Sequence, residues 1–444
     1  MTEPSRSQGC PEYDLISRRR FLSLSASALA AASLPAWLPR VALADDFGSP
    51  AGSPAGSPAG SAARDVLVSI SLRGGADGLT LCAPFGDDGY YALRPTLAVP
   101  RPDSSSPNRA LDLDGFFGFP PSLAPLADLY RDGKLLVVHA TGLPIRTRSH
   151  FSAMFLTEVG QPAPPSSRVN GWIAEHLQAV PPARVDAVLR AVANGVGLPR
   201  SLVGAPATVP VRDLAASGFA GDPATVAARR QALSAMYAAA PNPLRTTAGS
   251  TLLTVDLLEK IRYPSYQPAG GAVYPGDELG RALQSTAALV KAGVGIEAAT
   301  IECGGWDSHS DQGPFDGAMA LLMKSLAEGL TAFHADLFAN GPTNVIVVVQ
   351  TEFGRNAWEN GSRGADHGHA GVMLVLGGSV AGGRVLTRWP GLAPEQLYEG
   401  QDLALTIDAR DILSEILKKR LGNPDPWSVF ADPAYTPQEH GVIR

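Results

Sequence analysis

Cysteine is scarce: the 444-residue chain has three, Cys10, Cys82 and Cys303. That excludes a disulfide framework, a zinc finger or an iron–sulfur centre, each of which needs a cluster. Cys10 lies before a pair of arginines, in the leader that would be removed, and Cys82 and Cys303 read equally well as a pair or as two buried thiols. Basic excess is also missing: 36 Lys and Arg face 42 Asp and Glu, a net charge of −6 with no basic stripe. Nucleic-acid binding, which depends on neutralising phosphates, is thereby excluded. No apolar run is long enough to predict a stable membrane span. The most apolar N-terminal stretch is short and broken by Pro35 and Pro39.

With 45 % apolar and 18 % charged residues, the composition is that of a globular protein. "SRRRFLSLSASALAAASLPAWLPRVALADD" combines paired arginines, a moderately apolar Ala/Ser stretch and Ala42-Leu43-Ala44. This pattern predicts a twin-arginine export signal over residues 1–44, cleaved after about Ala44, and a periplasmic or secreted product. The translocase would be a partner during export, and such cargo is often folded around a cofactor beforehand. Residues 45–63 hold a Gly-Ser-Pro-Ala repeat that cannot bury a core and reads as a tether. The folded part is then a single domain over 64–444.

Five apolar runs read as strands: Val66 to Leu72, "GKLLVVHATG", "GIEAATIEC", Val345 to Val349 and "GVMLVLGG". Val345 to Val349 is apolar without alternation, as in a strand covered on both faces. Between the third and fourth runs, Leu322, Leu326, Leu330, Phe333 and Leu337 mark one side of a long helix. Ile412, Leu413, Ile416 and Leu417 mark another, closed by Lys418 to Arg420 and Gly422. Strands separated by helices predict an α/β fold with a mainly parallel central sheet and helices on both faces. Residues from about 160 to 295 read as helical hairpins and loops inserted into that frame.

Chemistry-bearing residues gather next to these runs. Asp77, Asp307 with His309, and Glu352 each follow an apolar run, where open α/β sheets bind their ligands. Asp366, His367 and His369 precede the last run, so their loop would have to fold back over the same edge. Carboxylates with imidazoles are the donor set of Zn²⁺, Mn²⁺ or a related divalent ion, and these residues are the metal-ligand candidates. "TGLPIRTRSHFSAM" offers Ser149 as a nucleophile at a helix start, where backbone N–H groups and arginines stabilise an oxyanion. The ordinary reading of that serine is a helix cap. Arg355 could clamp an anionic ester or pair with a neighbouring acid. Arg148, His150 and Asn356 stand beside these residues as substrate-binding candidates.

The segments "LRGGADGLTL", "YYALRPTLAV", "SHFSAMFLTEVG", "GWDSHSDQ", "QTEFGRNAWENGSRGADHGHAGVMLVLGG" and "WPGL" resemble the exported bacterial family called domain of unknown function 1501. That family is placed in the alkaline phosphatase-like, or sulfatase-like, superfamily, and the resemblance spans essentially the whole mature chain. It implies a three-layer α/β/α sandwich, one or two divalent ions at the strand ends, and a serine nucleophile attacking phosphorus or sulfur. Asp77 is similar to the first-strand ligand, Ser149 to the nucleophile, and Asp307 with His309 to the Asp/His pair of the other ion. Glu352 resembles the Asp of an Asp-His-Gly motif, and His367 or His369 the late histidine. Phe353 stands where the superfamily commonly has a ligating histidine, and no Cys-x-Pro-x-Arg sulfatase motif is present.

The function expected on this basis is metal-dependent hydrolysis of phosphate or sulfate esters, with a small-molecule or glycan anionic ester as substrate. One alternative is a non-catalytic binding or envelope-assembly protein on the same fold. A second is transfer of a phospho-alcohol group onto an envelope glycan.

Overall fold

The computed structural model describes residues 64–163, 170–219, 221–340, 344–430 and 432–444. The export signal and the tether lie outside the described residues. Arg64 onward belongs to one compact unit. Its strands are β1 (Val66–Leu72), β2 (Leu111–Asp112), β3 (Gly118–Phe119), β4 (Leu135–Gly142), β5 (Ala191–Asn194), β6 (Thr208–Pro210), β7 (Ala298–Cys303), β8 (Val345–Thr351), β9 (Gly371–Gly377), β10 (Arg384–Leu386) and β11 (Ile407–Asp408). The α-helices are α1 (Gly78–Leu81), α2 (Asp88–Leu93), α3 (Ala124–Arg131), α4 (His150–Val159), α5 (Trp172–Ala179), α6 (Val226–Ala238), α7 (Leu244–Lys260), α8 (Glu278–Lys291), α9 (Ala318–Phe338), α10 (Ala409–Lys419) and α11 (Trp427–Phe430).

Nine strands form one sheet in the order β10-β4-β9-β8-β1-β7-β5-β6, with β11 paired to β4. Every pairing is parallel except those of β9, which runs against both β8 and β4. The expected mixed α/β fold with a mainly parallel sheet is therefore present.

Side chains alternate across the strands and feed two cores. Val68, Ile70, Val347 and Leu374 pack on one face with Leu283 of α8 and Met323, Leu326 and Leu330 of α9. Leu67, Val138, Ile346 and Val375 pack on the other with Trp172 and Ile173 of α5 and Ile412, Leu413 and Ile416 of α10. Two-sided coverage explains why β8 shows no polar alternation.

Residues 160–295 differ from the expected helical insertion. They do contain α5 to α8, but β5 and β6 belong to the main sheet, extending it beyond β7. "AVAN" and "TVP" are four and three residues long, too short to show a period. Cys82 and Cys303 are both free thiols.

The reversal of β9 arranges the site. β1, β7, β8 and β4 end on one edge of the sheet, with Leu72 opposite both Cys303 and Thr351. β9 begins on that same edge, Gly371 facing Thr141 near the end of β4. Residues after four strands and residues before a fifth thus meet. Residues 352–370 close the gap as a short ribbon: Gly354 N–H donates to His369 O and Gly368 N–H to Gly354 O, both at 2.8 Å.

Candidate metal centre at the strand ends

Asp307 is the hub of this edge. It follows β7, and the turn after β1 passes directly beneath it. A Cβ on Gly74, whose φ is +120°, would lie 2.5 Å from Asp307 N, so only glycine fits there. Arg355 Nη2 donates to Asp307 Oδ1 at 2.6 Å. The same oxygen lies 3.0 Å from His309 Nε2 and 3.3 Å from His367 Nε2. His150 Nε2 lies 3.4 Å from Oδ2. Three imidazoles and a guanidinium therefore converge on one carboxylate. Burial alone would raise the Asp307 pKa, but the close approach of His150, His309, His367 and Arg355 outweighs it and holds it far below the usual carboxylate range.

The outer bonds set the tautomers. Glu352, just past β8, accepts from Gly74 N–H at 2.8 Å and from His150 Nδ1 at 2.9 Å. His367 Nδ1 donates to the Arg148 carbonyl at 2.7 Å, so its Nε2 carries a lone pair inward. His309 Nδ1 donates to Asp366 Oδ1 at 2.8 Å, and its Nε2 donates to His367 Nε2 at 2.9 Å. The His309 pKa is raised, chiefly by Asp307 and also by Asp366 against the cost of burial, which favours the protonated ring.

This arrangement fits a divalent ion. His150 Nε2 is buried yet makes no hydrogen bond of good geometry, an orphan aimed at Asp307. One atom each from His150, Asp307 and His367 lie within 4.8 Å of one another. Glu352 and the Arg148 carbonyl hold the two Nδ1 atoms, as outer partners orient metal-binding imidazoles. The 3.3 Å from His367 Nε2 to Asp307 Oδ1 is close to the ~3.4 Å edge of a tetrahedron with arms of ~2.1 Å. Asp307 also lines a small cavity together with Trp306, Ser308, Gln312, Met319 and Leu322.

Other candidates are placed elsewhere or used differently. Asp77 caps α1, and its buried carboxylate is bonded to Arg94, Thr80, Gln312 and Leu79 N–H. Arg355 is buried, and besides Asp307 it donates to the carbonyls of Gly75, Ala365, Gly74 and Trp306. It shapes the loop and is not free to clamp a substrate. His369 stacks on Tyr398 with centroids 4.2 Å apart. Asn356 Oδ1 accepts from Trp358 N–H in a turn. Arg148 pairs with Asp402 and Glu399. Ser149 caps α4 by position, but its hydroxyl makes no capping bond to the helix. His150, expected as a substrate contact, instead points into the centre. Its partner Glu352 is 202 residues away, so no local pattern announces the pair.

The loop glycines serve close backbone packing. A Cβ on Gly364 would lie 2.4 Å from His309 C, and one on Gly368 2.3 Å from Arg355 C. At Gly354 the clash would be with Ala370 O at 1.8 Å. Gly354→Ala is expected to cost about 3 kcal/mol by forcing the ribbon apart. A urea midpoint within error of wild type would show that the ribbon yields freely.

His150 predicts a pH effect in metal-free protein. Burial lowers its pKa, but Asp307 and Glu352 raise it to about 9 against an ordinary 6.5. A group raised in the folded state contributes stability that is full below about 6.5 and is lost as pH climbs through about 9. The gap is on the order of 2 kcal/mol after allowing for partial screening. Thermal melts of wild type and His150→Gln from pH 6 to 10 should converge as pH rises. Parallel curves would remove His150 from that role.

A mixed α/β protein with a histidine–carboxylate cluster at the strand ends is the class that fold and site define. Residues 134–422, more than half of the chain, match the family described as "Protein of unknown function (DUF1501)", and the chain belongs to it. The match begins at β4, so Asp77 and β1 lie outside it, in contrast to the whole-chain likeness expected from the motifs. No curated protein matches the sequence.

Proposed function

We propose that the protein is a metal-dependent hydrolase of phosphate or sulfate esters, exported to the periplasm or secreted. One observation carries the reading: His150 and His367 have their Nδ1 atoms tied back by Glu352 and the Arg148 carbonyl and aim Nε2 at Asp307. The alkaline phosphatase-like three-layer sandwich is part of the same proposal, supported by helices on both faces of the sheet.

A divalent ion held by His150, Asp307 and His367 would supply Lewis acidity toward the ester oxygens. The chain's own groups do the rest. Asp307 is kept ionised by its partners, and Arg355 fixes its orientation. His309 holds a proton on Nε2, backed by Asp366 at Nδ1. With His367 Nε2 engaged elsewhere, that proton is available to the leaving oxygen. Ser149 stands one residue before His150 with its hydroxyl not spent on the helix, and is the nucleophile in this reading.

The test is turnover of aryl phosphate and sulfate esters with Zn²⁺ or Mn²⁺, beside Ser149→Ala. A drop of at least about 100-fold in kcat with an unchanged melting temperature is expected. Unchanged turnover would remove Ser149, and silence with every metal would remove the hydrolase.

One observation favours a non-catalytic binding or envelope-assembly role: Arg355 spends its guanidinium on Asp307 and protein carbonyls and has none left for an anionic ester. Silence in the ester screen together with retained metal would favour it. Phospho-alcohol transfer onto a glycan would show as product formed only with an alcohol acceptor present.

A further inference from the structure

The likeness to the alkaline phosphatase-like superfamily implies as many as two divalent ions, and the residues on this edge leave room for fewer. We propose that the centre is built for a single ion, held by His150, Asp307 and His367, with Arg94 and Phe353 filling what a second ion would need. The inference rests on the metal-dependent reading and narrows it.

Asp77 is the residue that the likeness assigns to the first-strand ligand, and it already has a cation. Both it and Arg94 have fully buried side chains and form an ion pair. Gln312 Nε2 and Thr80 Oγ1 each add a bond to Asp77 Oδ2 at 2.8 Å. Arg94 is locked in turn, donating to the carbonyls of Ala357 at 3.0 Å and Asn356 at 2.7 Å. An ion seeking Asp77 would have to displace a guanidinium that has nowhere solvated to go. Leaving such a charge buried without its partner is strongly unfavourable and would weaken any ion bound at Asp77.

Phe353 closes the remaining space. It is buried, with its ring centroid 5.0 Å from that of His150 and 4.9 Å from that of His367. On its other side it abuts the turn after β1, where a Cβ on Gly75 would lie 2.5 Å from the ring. Hydrocarbon therefore fills the gap between the histidine pair and the turn leading to Asp77. A hydrated dication gains no ligand there and would lose its water. Glu352 offers no substitute, because Oε1 already accepts from Gly74 N–H and His150 Nδ1, and Oε2 is bonded to the Thr351 hydroxyl.

With the His309 ring bonded at Nδ1 to Asp366 and at Nε2 to His367, what remains for an ion is two imidazoles and one carboxylate, on a side open enough that Asp307 keeps a third of its side chain exposed. Three protein ligands with an open position are the pattern of a reactive ion, whereas structural sites are closed by four. The chemical class is a single Zn²⁺-like ion in an N₂O set.

The full exported chain would be stripped with chelator and titrated with Co²⁺. Visible absorption would follow the ligand field, and elemental analysis after gel filtration would count ions. One equivalent at saturation is expected, with the intense bands of four- or five-coordinate cobalt. Asp77→Asn should keep that equivalent, whereas His150→Ala and His367→Ala should each weaken binding by 100-fold or more. Two retained equivalents overturn the proposal, as does loss of an ion in folded Asp77→Asn. Should that variant not fold, the wild-type count decides alone. Two ions with ester turnover would sink the single ion and leave the hydrolase standing. One ion without turnover would do the reverse, and no retained ion would sink both.

Discussion

Asp307→Ala is expected to yield a folded protein that neither retains a divalent ion nor turns over an ester above about one hundredth of the wild-type rate. Losing an outer partner of a metal site typically costs 10- to 100-fold, and a direct ligand shared by two imidazoles should cost more. The fold should tolerate the change. Asp307 lies on the loop after β7, one third exposed, and Arg355 keeps four carbonyl acceptors when the carboxylate is gone. His150 and His309 would lose the anion that raises their pKa values, so their proton affinities should fall together. Elemental analysis and a thermal melt on the same sample check both halves. A full equivalent of ion retained in the variant would dismiss Asp307 as ligand.

The largest stability effect is expected from Arg94→Ala. Removing one member of a buried ion pair leaves the other charged and unpaired, at about 3–5 kcal/mol. Here Asp77 is fully buried, and Arg94, chiefly by offsetting the cost of that burial, holds its pKa below the ordinary value. The Ala357 and Asn356 carbonyls lose donors in the same step. Their strand-edge loop also carries Arg355, so weakening should reach the histidine–carboxylate cluster as well as the turn after β1. Arg94→Ala combined with Asp77→Asn should recover part of the loss by removing the stranded charge. Denaturant midpoints for the single and double variants measure this. A single-variant loss below about 1 kcal/mol would show that water reaches Asp77.

Much of the frame is written locally. The unbroken apolar run of β8, the glycines after β1 and the stripe along α9 each follow from residues close in sequence, so the alternation of helix and strand is legible without a structure. The short strands are not: β5, β6, β10 and β11 are two to four residues long, and their identity comes from a neighbour already in the sheet. Cysteine scarcity and the acidic balance likewise narrowed the chemistry before any geometry was known.

For the site, the sequence determined which donor types were available and that they cluster beside strands. Tertiary structure decided their roles, because each role depends on a partner far along the chain. Asp77 and Asp307 look alike in sequence, each near glycines beyond an apolar run. Arg94, 17 residues on, neutralises the first, while histidines and Arg355 from other strands' loops surround the second. Above all, the direction of β9 is a matter of pairing, set by hydrogen bonds to β8 and β4 and invisible in a string of apolar residues. That one antiparallel strand brings His367 to the edge where Asp307 and His150 already stand.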